Sequence, residues 1–592
     1  MLDGPRVQRT QWHAGSKRDV EFEEQVVEKY RQQRLTSSVS SPYTCSGNHD
    51  NLNQFHMRGT ALGGWLVLEP WLTPSLFYQF LDASTKWGDD APNHIGLDSY
   101  TFCTALGKEE ANKQLRRHWQ AWVKEEHIQY LAQNGVDTIR IPVGDWMYVP
   151  YEPYIGCMDG AMDELNRILQ LCLKYDIKAL IDVHAMKGSQ NGLDNSGNTE
   201  RLKWVSTLSS GGEAVYEHWN IRGGDWIGSY NSTTHQYDNI NTTNIEHSLN
   251  VIRKLVDVHK SDPVVIGVEP VNEPWWPTPI DTLKQFYWDS YQIIQSVRPD
   301  WITLLHDSFR LVPGIWGDFM INCPNYAIDS HLYQAWAWEM PPEWFEEHAC
   351  YDGEMVRIME SIGVPVIVGE WSLATDNCAM WLNGLNDNVP GYPKVKCERI
   401  VCPPPYMGYD QPGTLLDPTK GAQDPFGTGG ESYVEYGTCP RDKPFDNDDF
   451  VMTTLGYSKL NAFDLGTHGQ FFWNFRTEFE PRWDYMEATK KGWIPSKYEK
   501  ENIADIAAFC SWSNPTSAPT LPVEAAVAHN TSSANKDIIN SFLIFISVST
   551  IIGAIIFIRK RRREPINSYK YVTIPNIKPV AINTVESERY QI

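Results

Sequence analysis

From residue 57 to about residue 510, short apolar runs rich in β-branched residues alternate with longer stretches whose apolar positions recur every three or four residues. This alternation predicts βα units wound around a parallel sheet. The strand-type runs are ALGGWLVLEP (61–70), VDTIRIPV (136–143), IKALIDVH (177–184), VVIGVEPVNEP (264–274), WITLLHDS (301–308), AIDSHLY (327–333), VPVIVGEW (364–371) and GQFFWNF (469–475). Eight is the strand number of a closed barrel, so the expected fold class is α/β, a (β/α)8 TIM barrel. Helical periodicity is plainest over 158–175, 243–260, 283–297 and 343–361.

The pattern fails on both flanks and once inside. Residues 1–56 read as a charged, flexible N-terminal tail with one amphipathic stretch over 19–35. Within the 57–512 domain, residues 385–450 are rich in Pro, Gly and Asp and too long for an ordinary αβ connection, so they read as an inserted loop. Cys378, Cys397, Cys402 and Cys439 crowd this region, which predicts a disulfide-stapled insertion whose pairing stays open. Residues 513–537, with Pro, Ser, Thr, Ala and Asn, read as a stalk. Residues 538–558 then carry no charge over 21 positions, about the 20 that a helix needs to cross a bilayer. Arg-Lys-Arg-Arg-Arg follows at once, so 559–592 is expected to be a basic cytoplasmic tail, with everything before 538 outside the cell. This single-pass topology is expected although residues 1–50 hold no apolar stretch resembling a signal peptide.

Composition narrows the function. The chain has 592 residues with 74 acidic and 51 basic side chains, a net charge of −23 that repels phosphate polyanions and excludes nucleic acid as a partner. At 42% hydrophobic and 21% charged it is globular, with a sizeable core. Its 24 Trp and 28 Tyr supply flat rings with one polar edge, suited to packing on sugar rings as well as to filling a core. The 11 cysteines include no CxxC and no zinc-type Cys/His spacing, so neither a metal nor any other cofactor is expected. An odd cysteine total leaves at least one unpaired. Cysteines in this number suit an oxidising compartment, as do the sequons at Asn231, Asn241 and Asn530.

Most of the apolar runs end in residues that a barrel core would not choose. Glu69 ends the first, Arg140 lies late in the second, His184 ends the third, and Asn272 and Glu273 close the fourth. His331 and Tyr333 end the sixth, Glu370 ends the seventh, and Trp473 lies in the eighth. In a (β/α)8 barrel the C-terminal strand ends converge on one face, where active sites are built. A single buried Glu or His is usually a salt-bridge partner or a satisfied core residue, but seven of eight strands point here to one shared site. Glu273 and Glu370, on strands facing each other across the barrel, are candidate paired carboxyls for cleaving a glycosidic bond. A separation of about 5 to 5.5 Å fits a retaining, double-displacement reaction. Arg140 is expected to lower the pKa of the nucleophile Glu370, and burial among Trp275 and Trp276 to raise that of the acid Glu273.

Seven colinear blocks, RGTALGGWLVLEPWLTPSLF, TIRIPVGDW, IDVHAMKGSQNGLDNSG, VNEP, HLYQAW, VGEWSLATDNCAMWLNG and FFWNFRTE, resemble the fungal exo-1,3-β-glucanases of glycoside hydrolase family 5 over about residues 57–500. The resemblance implies Glu273 as acid/base, Glu370 as nucleophile and Asn272 near the sugar 2-hydroxyl. It places Arg140, His184, His331 and Tyr333 around the nucleophile, and Glu69, Asp194 and Trp473 around a non-reducing terminal glucose. The expected activity is release of glucose from β-1,3-glucan in cell-wall metabolism, by a membrane-anchored glycosidase whose partner is the glucan. Ala185, Met186 and Lys187 depart from the family pattern after the third strand, and Leu193 and Trp336 occupy positions where aromatic clamps are usual, which bears on fine substrate preference. Two other readings remain: a glycosidase acting on another β-glucoside, and a catalytically silent glucan-binding surface protein, against which the intact glutamate pair argues.

Overall fold

Eight parallel strands close into a barrel: β1 (Met57–Ala61), β2 (Thr138–Gly144), β3 (Lys178–Ala185), β4 (Val265–Glu269), β5 (Ile302–His306), β6 (Tyr326–His331), β7 (Val366–Trp371) and β8 (Gly469–Phe472). The ring runs β1, β8, β7, β6, β5, β4, β3, β2 and closes through Gly59 opposite Thr138 and Met57 opposite Gly469. The structure, a computed structural model, describes residues 41–45, 56–80, 86–199, 224–376 apart from 232, 235, 338 and 339, then 445–464 and 467–496, with residues 29, 204–205, 215–216, 379, 381–382 and 510. All of these belong to the unit Met1–Trp512.

The strands are buried on both faces, as in β2, where all seven residues are covered; this is why they read as continuous apolar runs. Helices cover the outside. Ala161–Tyr175 turns Leu165, Ile168, Leu169 and Cys172 inward, a stripe at three- and four-residue spacing, with Asp163 and Glu164 in its first turn and Lys174 in its last. Thr242–His259, Ile280–Val297 and Pro342–Ser361 follow β3, β4 and β6 close to where periodicity predicts them. Between β5 and β6 there is only the four-residue helix Pro313–Trp316.

Two elements differ from expectation. The run 61–70 is not a strand; β1 lies before it, and Leu62, Trp65, Leu66, Val67 and Leu68 form a fully buried loop, which is apolar for the same reason as a strand. β1 itself, MRGTA, is held by specific partners instead of apolar side chains: a Cβ on Gly59 would lie 2.3 Å from the Phe471 ring, and Thr60 Oγ1 donates to Phe472 O. The helix Asp448–Phe463 begins inside the expected insertion and buries residues on nearly every side, so it has no amphipathic stripe to reveal it.

Inside the barrel, Met57, Leu180, Ile302, Leu304, Ala327, Ile367 and Phe471 form an apolar plug. Side chains two residues apart share one face of a strand, so Leu180, Asp182 and His184 stack inward, as do Ala327, Asp329 and His331, and Ile302, Leu304 and His306. Each series passes from apolar to polar toward the C-terminal end, which puts a charged layer directly on the plug.

Disulfides join Cys45 to Cys323, Cys103 to Cys157 and Cys350 to Cys510, and Cys172 is free and buried. Residues 41–45, within the expected tail, are anchored: Cys45 is bonded to Cys323, and the Tyr43 ring packs edge-on to Trp288 and Phe319. Cys378, Cys397, Cys402, Cys439, Asn530, the stalk, the 538–558 span and the 559–592 tail lie outside the described residues, as does the insertion up to residue 444. Among the described residues, no helix is long and apolar enough to cross a membrane.

Candidate active site

Arg140 is fully buried in β2, and a buried guanidinium needs acceptors on every side. Its Nε donates to Glu269 Oε2 at 2.9 Å, its Nη1 to Glu370 Oε1 at 2.7 Å and its Nη2 to Asn272 Oδ1 at 2.7 Å, with Asp182 Oδ2 3.2 Å from Nη2. Burial disfavours its charge, but Asp182, Glu269 and Glu370 outweigh that and hold Arg140 firmly cationic. Glu370 is thus fixed from two sides, because Tyr333 Oη donates to its other oxygen at 2.6 Å.

His331 joins the two glutamates. Its Nδ1 lies 2.7 Å from Glu273 Oε1 and 3.4 Å from Glu370 Oε2, while Nε2 lies 3.2 Å from Asp329 Oδ2. Burial opposes protonation, yet the charges of Glu370 and Asp329 prevail and raise the His331 pKa well above its ordinary value. As a cation it donates from both nitrogens. Register shifts between Ser330 and His331, and between Val368 and Trp371, set these strand ends toward the site.

Glu273 follows β4 with φ 43, in the left-handed region that a non-glycine residue occupies at a cost of about 1–3 kcal/mol. Its carboxylate is held by His331 on Oε1 and by Asn195 Nδ2 on Oε2 at 2.9 Å. Asn272 is pinned by its backbone N–H to Val183 O at 3.1 Å and approaches His184 Nε2 at 3.4 Å. His184 Nδ1 meets Asp182 Oδ2 at 2.6 Å, and the His184 ring stacks parallel to Trp473 with centroids 5.4 Å apart. Gly63 leaves room for that Trp, since a Cβ there would lie 2.6 Å from the ring. The Trp473–Asn474 peptide is cis.

Glu69 comes from the buried loop after β1. Trp71 Nε1 donates to its Oε2 at 3.1 Å, while its buried Oε1 has no hydrogen-bond partner. Burial, then the charges of Asp194 and Glu370, push its pKa well above the ordinary carboxyl range. Trp71 packs edge-on to Trp483 at 5.0 Å, and Trp483 meets Tyr333 at 5.1 Å, so an aromatic wall runs from Glu69 to Glu370. Trp336, 44% exposed, packs edge-on to Tyr333 at the rim.

The ten expected residues therefore gather at one end of the barrel: Arg140, Asn272, Glu273, His331, Tyr333 and Glu370 are joined by hydrogen bonds, with His184 and Trp473 beside them and Glu69 and Asp194 coupled electrostatically. The pKa ordering is the reverse of expectation. Burial raises Glu370, with His331 and Arg140 pulling against it. Burial also raises Glu273, but the hydrogen bond and charge of His331, with His306 and His184, overcome it and bring Glu273 down to about 2. The expectation counted the tryptophans and overlooked the imidazoles; Trp275 in fact packs edge-on against Phe309. Sequence reading also missed Asp182, Asn195, Glu269, His306 and Asp329. Asp182 and Asp329 were accessible through the two-residue spacing to His184 and His331.

A closed βα barrel with two buried glutamates converging on one imidazole at its C-terminal end carries the paired carboxyls that a glycosidase uses. Residues 103–389 match the family described as Cellulase (glycosyl hydrolase family 5). The chain is 30% identical over 466 residues to a glucan 1,3-beta-glucosidase of Blumeria graminis, covering 76% of this chain and 90% of that protein. It is also 30% identical over 447 residues to a probable glucan 1,3-beta-glucosidase A of Emericella nidulans, covering 74% and 90%. Among solved structures it is similar to a rutinosidase from Aspergillus niger, with a TM-score of 0.49 and 16% identity over 75% of this chain and 99% of that one. The chain belongs to glycoside hydrolase family 5.

Proposed function

We propose that this chain is a retaining glycosidase that releases glucose from the non-reducing ends of β-1,3-glucan by double displacement, in the turnover or remodelling of cell-wall glucan. The observation that carries the mechanism is the shared His331 nitrogen. Glu273 and Glu370 each approach it, at 2.7 and 3.4 Å, so their nearest oxygens are no further apart than about 6 Å, below the roughly 6.5–9.5 Å spacing of inverting enzymes. Glu370, held between Arg140 and Tyr333, attacks the anomeric carbon. Glu273 protonates the departing oxygen and then takes a proton from the water that hydrolyses the glycosyl-enzyme. In the resting site that first proton sits on His331, in the 2.7 Å hydrogen bond to Glu273. Glu273 carries it to the leaving oxygen as negative charge develops there.

The substrate class is supported by the relatives named glucan 1,3-beta-glucosidase. Exo action is supported by Glu69, whose buried Oε1 is an unfilled acceptor for a sugar hydroxyl, with Asp194 close enough to raise its pKa and Trp473 stacked on His184. Early digestion of laminarin yields chiefly glucose in this account; a ladder of oligosaccharides at low conversion rejects the terminal pocket.

We further propose that the barrel stands outside the cell, tethered by residues 538–558. Three disulfides support an oxidising compartment. Protease added to intact cells then removes the barrel and spares an epitope in 559–592; digestion of that epitope with the barrel protected reverses the topology.

A further inference from the structure

β5 supplied no residue to the site in the sequence reading, yet it ends in a buried histidine that the mechanism above leaves unused. His306 Nδ1 accepts a hydrogen bond from Ser308 N at 2.9 Å, so in the neutral ring the hydrogen lies on Nε2, which has no hydrogen-bond partner. Tyr287 Oη donates to His306 O at 2.8 Å and fixes the backbone. The ring is wedged between Phe309, 5.1 Å away, and His331, whose centroid lies only 4.4 Å away at 83°.

We infer that His306 is a positioning residue, holding the His331 ring in the one orientation that presents Nδ1 to Glu273 and Nε2 to Asp329. This deepens the proposed function and rests on Glu273 being the acid/base. Two buried imidazoles in van der Waals contact are not both cationic, because the like charges repel. Burial, with the charge of His331 next to it, keeps His306 neutral, its pKa lowered to about 3. The cation is therefore confined to the ring that touches Glu273. The groups that face that ring are Glu269 on β4 and Glu273 beyond it, Glu370 on β7, Asp329 on its own strand, and His306 on β5 with Asp307 after it. Without the His306 wedge, the His331 ring keeps its carboxylate partners but loses the packing that fixes its plane, and the hydrogen bond that keeps Glu273 ionised at rest weakens.

His306→Ala is compared with His306→Phe, which restores the ring shape. Alanine lowers kcat/KM on laminarin on the order of 10- to 100-fold, at most the lower end of the roughly 10²–10⁴ that a positioned acid supplies, with a much smaller loss on an aryl glucoside whose leaving group needs no proton. It also moves the alkaline limb of the kcat/KM profile, which reports loss of the proton that His331 and Glu273 share, downward, and phenylalanine restores that limb. Equal losses on both substrates with an unmoved profile overturn the inference. Loss of the leaving-group dependence in Glu273→Gln as well would instead place the failure in the proposed acid/base. Nitrogen NMR of the unsubstituted enzyme tests the ring without a variant: His306 neutral with hydrogen on Nε2, and His331 doubly protonated, are required. A His306 that protonates near pH 6, or carries its hydrogen on Nδ1, overturns the inference whatever the variants do.

Discussion

Replacing Arg140 with Met keeps the length and apolar stem of the side chain and removes the charge that Asp182, Glu269 and Glu370 share. Removing one partner of a buried ion pair costs about 3–5 kcal/mol, because a charge is left without compensation. Here the lower end applies, since the His331 cation remains 3.4 Å from Glu370 and 3.2 Å from Asp329. The sign with pH follows from which carboxyls must stay ionised. Arg140 pulls the pKa values of Glu269 and Glu370 down, so without it they rise, and a carboxyl raised on folding destabilises the fold as pH climbs above its unfolded value, about 4. The deficit of Arg140→Met is therefore small near pH 4 and reaches about 3 kcal/mol by pH 7.5. Urea unfolding of both proteins at the two pH values measures it, read as a shift in midpoint with unchanged slope. A deficit below about 1 kcal/mol at pH 7.5, or one equal at both pH values, refutes the picture of a guanidinium holding the acidic layer together.

Glu273→Gln loses most turnover on glucan but still forms the glycosyl-enzyme from a substrate with a good leaving group, giving a burst followed by slow hydrolysis; equal loss on both substrate types contradicts the acid/base assignment. Lys459, buried in the helix Asp448–Phe463 with Nζ donating to Ser372 O at 2.7 Å, has its pKa brought down from 10.5 to about 7 by burial. Keeping that amine in the core costs nothing above pH 10.5 and costs most below pH 7. Relative to wild type, Lys459→Met therefore gains about 3 kcal/mol between pH 9 and pH 6 and nothing further below, and a gap that does not move with pH rejects the reading.

The barrel was legible because seven of its strands are apolar runs bounded by polar residues. β1 was not, because its sequence, MRGTA, is chosen for close approach and pairing, while the apolar loop after it imitates a strand. The helix Asp448–Phe463 escaped for the opposite reason: burial on nearly all sides leaves no period to find. Asp194, in a turn after β3, was indicated by the family resemblance alone; the other nine of the ten candidate residues could be placed at one end because strand ends converge there. The electrostatic ordering of Glu273 and Glu370 could not, since it depends on His331 standing between them and on His306 standing behind His331, contacts between separate strands that no spacing along the chain encodes.

The covalent intermediate offers the most direct test of the central claim. A 2-deoxy-2-fluoro-β-glucosyl fluoride slows both steps through its ring fluorine, while its good leaving group lets the first proceed, so the glycosyl-enzyme accumulates. Mass spectrometry of the intact protein, followed by peptide mapping, is predicted to find one fluoroglucosyl group per chain, esterified to Glu370. An adduct on Glu273, or no adduct together with products of inverted anomeric configuration, contradicts the account.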